Sequence, residues 1–233
     1  MTVMLPTPDG SMDVYEAFPD GEPRGAVIVI QEAFGVNDHI QDVTRRFASA
    51  GYVAVAPALF HRAGGGTAPY DDFSQVMPLF EGISDDGVLA DVDATISHLE
   101  AQGFDPSRIG IVGFCFGGRV TFLTAVRRRL GAAVTFYGGG IVTASPLAGP
   151  LIGEAAQLQT PWLGLFGDLD KGIPVDDVEV LRAAVGDAEV VADIVRYADA
   201  DHGFHCDARD AYHHESAADA WTRTLGWFAT HLA

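Results

Sequence analysis

The sequence predicts an α/β domain built on a mostly parallel sheet covered by helices on both faces. Strand-like and helix-like segments alternate from start to end of the 233 residues. Segments such as Ala26–Ile30 (AVIVI) are unbroken apolar runs, as strands buried on both faces require. No linker, repeat or low-complexity stretch interrupts the pattern, so residues 1–233 read as one domain.

The elements follow in order. Thr2–Leu5 and Met12–Ala17 flank the turn signal Pro8-Asp9-Gly10, which predicts an opening hairpin. After Ala26–Ile30, His39–Ala50 carries Ile40, Val43 and Phe47 at helical spacing and stops at Gly51. Tyr52–Ala56 is the next buried strand, ended by Pro57. From Leu59 to Asp85 the pattern loosens around Gly64–Gly66, Pro69 and Pro78; a stretch this long predicts a short helix over a functional face. Val88–Glu100 is a helix, Arg108–Gly113 a strand, Phe116–Arg129 a helix and Ala132–Phe136 a strand. Strands Pro161–Phe166 and Glu189–Tyr197 enclose a helix at Val175–Val185, and Ser216–Leu232 is a final helix anchored by Trp221, Trp227 and Phe228.

Composition excludes several classes. Fourteen basic against 32 acidic residues give a net charge of −18, which repels nucleic acid and acidic membranes. Arg127-Arg128-Arg129 is accordingly a helix end meeting the dipole. Two distant cysteines, Cys115 and Cys206, make no secreted disulfide framework. With no leader-like start and no long apolar run, the expectation is a soluble cytoplasmic protein, monomer or homodimer. The glycine runs lack a following Lys-Ser/Thr, so no phosphate loop is expected.

The sharpest chemical signal is Gly113-Phe114-Cys115-Phe116-Gly117-Gly118, after a strand and opening a helix. It is a nucleophile elbow with cysteine at its centre. Such a turn forces its central residue into strained backbone angles and needs glycines beside it. The helix N-terminus favours a thiolate, and the N–H of Phe116 points where an oxyanion can form.

A nucleophilic thiol needs a base, and the base an orienting acid. Asp168 and Asp170 both follow a strand end; Asp170 is preferred for its Asp-x-x-Ile-Pro setting, with Asp168 a turn or capping residue. His202 follows the late strand and precedes Gly203, which suits a loop approaching the nucleophile. His39, His98 and His231 lie in helical stretches and are expected at the surface. A metal cluster of His202, His205, Cys206 and Asp207 is the alternative, and no metal or cofactor is expected. Glu32 ends a wholly apolar strand, where a carboxylate is costly without a partner or a task; the alternative is a solvated loop residue.

These residues resemble the dienelactone hydrolase family over most of the chain. The resemblance rests on Gln31-Glu32-Ala33-Phe34-Gly35-Val36-Asn37, Gly51–Pro57, the Cys115 elbow, the Asp170 loop and His202-Gly203-Phe204. It implies an eight-stranded α/β-hydrolase fold and a triad of Cys115, His202 and Asp170. It also implies that Glu32 meets the resting thiol and that the N–H groups of Ala33 and Phe116 form the oxyanion hole. The expected activity is hydrolysis of a lactone or small carboxylic ester through an acyl-thioenzyme. A thioesterase or general carboxylesterase is the rival on the same machinery, and a catalytically silent small-ligand binder is the rival from another class.

One departure bears on substrate. Family members of the chloroaromatic pathways grip a substrate carboxylate with arginines. Here Pro69–Leu89 holds no arginine or lysine, and Cys206 stands four residues after His202. No carboxylate clamp can be built from those positions, which predicts weak discrimination between a neutral ester and one bearing a distal carboxylate. Phe60, Tyr70, Phe73, Phe80, Phe114, Phe116, Tyr137 and Phe204 are candidates for an apolar acyl pocket or for plain core.

Overall fold

The computed structural model describes residues 1–144 and 148–232. Eight strands form one sheet in the order β1-β2-β4-β3-β5-β6-β7-β8. Strands β1 (Thr2–Thr7) and β2 (Gly10–Ala17) make the predicted hairpin, with Thr7 paired to Gly10 across the turn. β2 then pairs antiparallel with β4 (Val53–Pro57), and every later pairing is parallel.

The interior is the parallel block. Every residue of β3 (Ala26–Ile30), β5 (Ile109–Phe114), β6 (Ala132–Phe136) and β7 (Trp162–Gly167) is buried. That is why these segments read as apolar runs without alternation. β8 (Ala192–Tyr197), at the edge, is only partly buried. It starts three residues later than the sequence predicts, because a turn occupies the preceding residues.

Helices cover both faces. α1 (Asp38–Ser49) starts at Asn37, whose Oδ1 accepts the Ile40 N–H at 3.1 Å. The loose segment carries 3₁₀ turns at Leu59–Ala63 and Phe73–Gln75 and one turn of α2 (Val76–Leu79), so a short helix does sit there. Ala33, Phe34, Phe60, Ala68, Val76 and Phe80 form a small apolar cluster that packs this segment onto the loop after β3. α3 (Asp85–Ala101) is capped by Ser84, whose Oγ accepts the Gly87 N–H at 3.1 Å, with Asp85 and Asp86 in its first turn.

α4 (Phe116–Arg127) ends two residues before the predicted limit. Arg128 turns to extended backbone and pairs with Asp93 through two contacts of 2.6 Å, so only Arg127 lies in the last turn. α5 is Val175–Val185 and α6 is His214–His231. Phe228 of α6 packs against Phe47 and Tyr52, and Trp221 against Phe47 at 4.6 Å. Among the described residues no helix is long and apolar enough to cross a membrane. The loops leaving the C-terminal ends of β3, β5, β7 and β8 converge on one side of the sheet, where sites in such folds are built.

Candidate active site

Cys115 sits between β5 and α4 at φ 55° and ψ −115°, a strained conformation for a residue with a Cβ. Such strain costs about 1–3 kcal/mol and persists only where the surroundings enforce it. The enforcement is visible in the flanking glycines. A Cβ on Gly113 would overlap the Gly117 carbonyl, one on Gly117 would reach 2.6 Å from the Ile30 oxygen, and one on Gly118 2.6 Å from the Phe136 oxygen. β3, β5, β6 and α4 therefore meet at backbone contact around the thiol, and only glycine permits it.

His202 comes from the loop after β8, and its Nδ1 lies 2.6 Å from Asp170 Oδ2. Asp170 is buried, and its other oxygen accepts the N–H groups of Gly172 (2.8 Å) and Ile173 (3.2 Å). The Asp-x-x-Ile-Pro setting thus has a local meaning: the loop's own amides fix the carboxylate. Asp168 points away and pairs with Arg196 through two contacts of 2.8 Å. Burial pulls the His202 pKa down, but the facing Cys115 and the Asp170 carboxylate outweigh it and push it up to about 10.

Glu32 is fully buried at the end of β3. Its Oε2 accepts from the Tyr70 hydroxyl at 2.9 Å, and Tyr70 accepts from the Cys206 thiol at 3.3 Å. Oε1 has no hydrogen-bond partner and lies 3.6 Å from Arg209 Nη1. The resemblance implied that Glu32 meets the resting thiol. The structure holds the carboxylate on Tyr70 and beside the Arg209 cation, while Cys115 and His202 line the same cavity. Burial and the neighbouring Glu32 raise the Tyr70 pKa and push the Cys206 thiol up to about 11, so both keep their protons.

Two further sequence expectations change. His39 is buried, not exposed, because it faces the ring of Phe114 at 6.3 Å and that of His205 at 6.1 Å. Gly203 takes φ +87°, and its missing side chain leaves room for the Arg209 guanidinium rather than for the nucleophile. His205 is stacked on Phe114 at 5.2 Å, fully enclosed, and burial lowers its pKa to about 3.

Among the described residues, the metal-ligand types that gather are Glu32, His39 and Cys206, with donor atoms within 4.8 Å of one another, and not the sequence-adjacent His202, His205, Cys206 and Asp207. The charge of this group is already balanced by Arg209. Of the aromatic residues considered for a pocket, Phe73, Phe80 and Phe116 line a cavity of about 260 Å³ that opens against Cys115, His202 and Ala33. Phe60, Phe114, Tyr137 and Phe204 are core.

Two arginines escaped the sequence reading. Arg209 follows His202 by seven residues, and Arg119 follows Cys115 by four, one helical turn further along α4. In a chain this poor in cations, that spacing was the available signal.

Comparison with known proteins settles the family. The model of the dienelactone hydrolase family matches residues 12–232. The chain belongs to the dienelactone hydrolase family. It is 42% identical over 234 residues to an Escherichia coli O157:H7 protein that carries the name "Putative carboxymethylenebutenolidase", covering 96% of this chain and 84% of that one. A Pseudomonas putida carboxymethylenebutenolidase is 27% identical over 215 residues, covering 91% and 88%. A crystal structure from Klebsiella pneumoniae subsp. pneumoniae MGH 78578, titled "Putative Dienelactone Hydrolase", superposes with a TM-score of 0.90 at 42% identity over 98% and 97% of the two chains. Membership fixes the fold as that of an α/β-hydrolase and the activity class as hydrolysis of lactones or carboxylic esters.

Proposed function

We propose that this dienelactone hydrolase-family protein cleaves a small lactone or carboxylic ester, without a cofactor, through an acyl-thioenzyme on Cys115. The observation that carries the reading is the strained Cys115 elbow facing a histidine that is held at 2.6 Å by a buried, amide-bound aspartate. With the proton of the Cys115–His202 pair on the imidazole, the sulfur attacks the carbonyl carbon, and His202 then gives that proton to the departing alkoxide. Water, deprotonated by the same imidazole, hydrolyses the thioester and restores Cys115. Asp170 keeps the imidazole in the tautomer with hydrogen on Nδ1, so Nε2 is the basic nitrogen. The amides of Ala33 and Phe116, both residues lining the cavity at the thiol, would receive the oxyanion. Glu32, held by Tyr70 and Arg209, is the buried carboxylate that the family resemblance assigns to tuning the thiol.

Iodoacetamide should label Cys115 and abolish turnover of a short p-nitrophenyl ester in parallel, and Cys115→Ala should be inactive. Full activity after complete labelling of that residue would end this reading.

A further inference from the structure

The cavity at Cys115 has an apolar wall supplied by Phe73, Val76, Met77, Phe80, Ile83 and Val88. Phe73 and Met77 are 62% and 53% exposed, so the wall continues outward as an apolar rim. Among the described lining residues, Asp85, Arg119 and His202 are the ionisable ones besides the thiol.

Asp85 and Arg119 satisfy each other. Arg119 Nη1 donates to Asp85 Oδ1 at 2.6 Å and Nη2 to Oδ2 at 3.0 Å. Nε donates to the Gly140 carbonyl at 3.2 Å and Nη2 also to that of Gly149 at 2.9 Å. Four of the five N–H groups of the guanidinium are thereby used. The two-pronged contact is the geometry with which an arginine grips any carboxylate, including that of a ligand. Here the chain fills it with its own side chain, projected from the first turn of α3.

We propose that Asp85 is a specificity-determining residue that stands in for a ligand carboxylate on Arg119. The acyl cavity therefore takes an uncharged, apolar acyl group. This inference rests on the hydrolase reading above for its location and sharpens the weak discrimination expected from sequence into a preference. A carboxylate entering the cavity finds the Arg119 fork already occupied by Asp85 and faces the like charge of that residue. A short alkyl or aryl acyl group meets matching walls, and about 260 Å³ is near the small end of ligand pockets, about 300–1,000 Å³.

The test uses two matched p-nitrophenyl esters of equal acyl length, one ending in a methyl group and one in a carboxylate. The wild-type protein should prefer the neutral ester in kcat/KM. Asp85→Ala should shift the ratio toward the charged ester by about tenfold or more, since an arginine fork is then free to receive it. Adding Arg119→Met should cancel that shift. Asp86→Ala, one residue along the same helix turn but exposed, should leave the ratio unchanged. An Asp85→Ala protein that is folded by circular dichroism yet keeps the wild-type ratio would overturn the proposal, as would equal use of both esters by the wild type. Calorimetric binding of the corresponding amides to Cys115→Ser separates the two readings. If the amides discriminate as described while no ester is turned over, the hydrolase reading falls and the pocket assignment stands. If the wild-type cavity binds both amides alike, the pocket assignment falls by itself.

Discussion

Replacing Asp170 by Asn tests how the site sets the protonation of His202. The 2.6 Å contact between Asp170 Oδ2 and His202 Nδ1 is a short charge-assisted hydrogen bond, which contributes about 1.5–3 kcal/mol. Loss of that term alone, when the imidazole carries the proton in transit, slows turnover by roughly 10- to 150-fold. The asparagine would do more than remove charge. Its oxygen should stay on the amides of Gly172 and Ile173, because they anchor Oδ1 at 2.8 and 3.2 Å. Its NH₂ group would then face His202 and force the hydrogen onto Nε2, leaving no base toward Cys115. Tautomer reversal of this kind costs about 10⁴ in kcat in a serine triad. The expected loss therefore lies between roughly 10-fold and 10⁴-fold, nearer the upper end if the loop keeps its geometry. Steady-state hydrolysis of a p-nitrophenyl ester measures it, with circular dichroism to confirm folding. Asp168→Asn is the control, since it removes only a partly exposed ion pair to Arg196, worth about 1 kcal/mol of stability or less. If Asp170→Asn keeps near wild-type turnover, or if Asp168→Asn is the more damaging change, the reasoning is refuted.

Two other outcomes follow from the buried charges. On the role that the family resemblance implies for Glu32, Glu32→Gln should let Cys115 alkylate at lower pH in the free protein and oxidise more readily; an unchanged alkylation profile would leave Glu32 a structural partner of Tyr70 and Arg209. His205, enclosed and lowered to about 3, stays neutral where the unfolded chain binds a proton, so stability should decline as pH falls from about 6.5 toward 3. Urea unfolding across that range should show a shallower decline in His205→Phe; an identical slope in both proteins would refute the assignment.

The legible parts of the molecule were those fixed by local chemistry. Apolar runs such as AVIVI could only be buried strands, and Gly-Phe-Cys-Phe-Gly-Gly could only be a tight strand-to-helix turn. The Asp-x-x-Ile-Pro setting of Asp170 was legible because the amides that hold its carboxylate, those of Gly172 and Ile173, are neighbours in sequence. What stayed hidden depends on distance along the chain. The Glu32–Tyr70–Cys206 chain joins residues 38 and 136 positions apart, and the Arg119–Asp85 fork joins two helices 34 positions apart. His39 looked like a surface residue because helical spacing alone does not show that its ring faces Phe114 and His205 at the sheet's end.

The sheet order has a bearing on how the protein comes into being. Cys115 leaves β5, near the middle of the chain, whereas His202 hangs from β8, the last strand in sequence and an edge of the sheet. Because synthesis runs from the N-terminus, Cys115 emerges well before His202, and parallel pairings between distant segments are slow to form. The proposed pairing of Cys115 with His202 is therefore assembled only when the last strand docks, so that completion of the sheet and completion of the proposed site coincide.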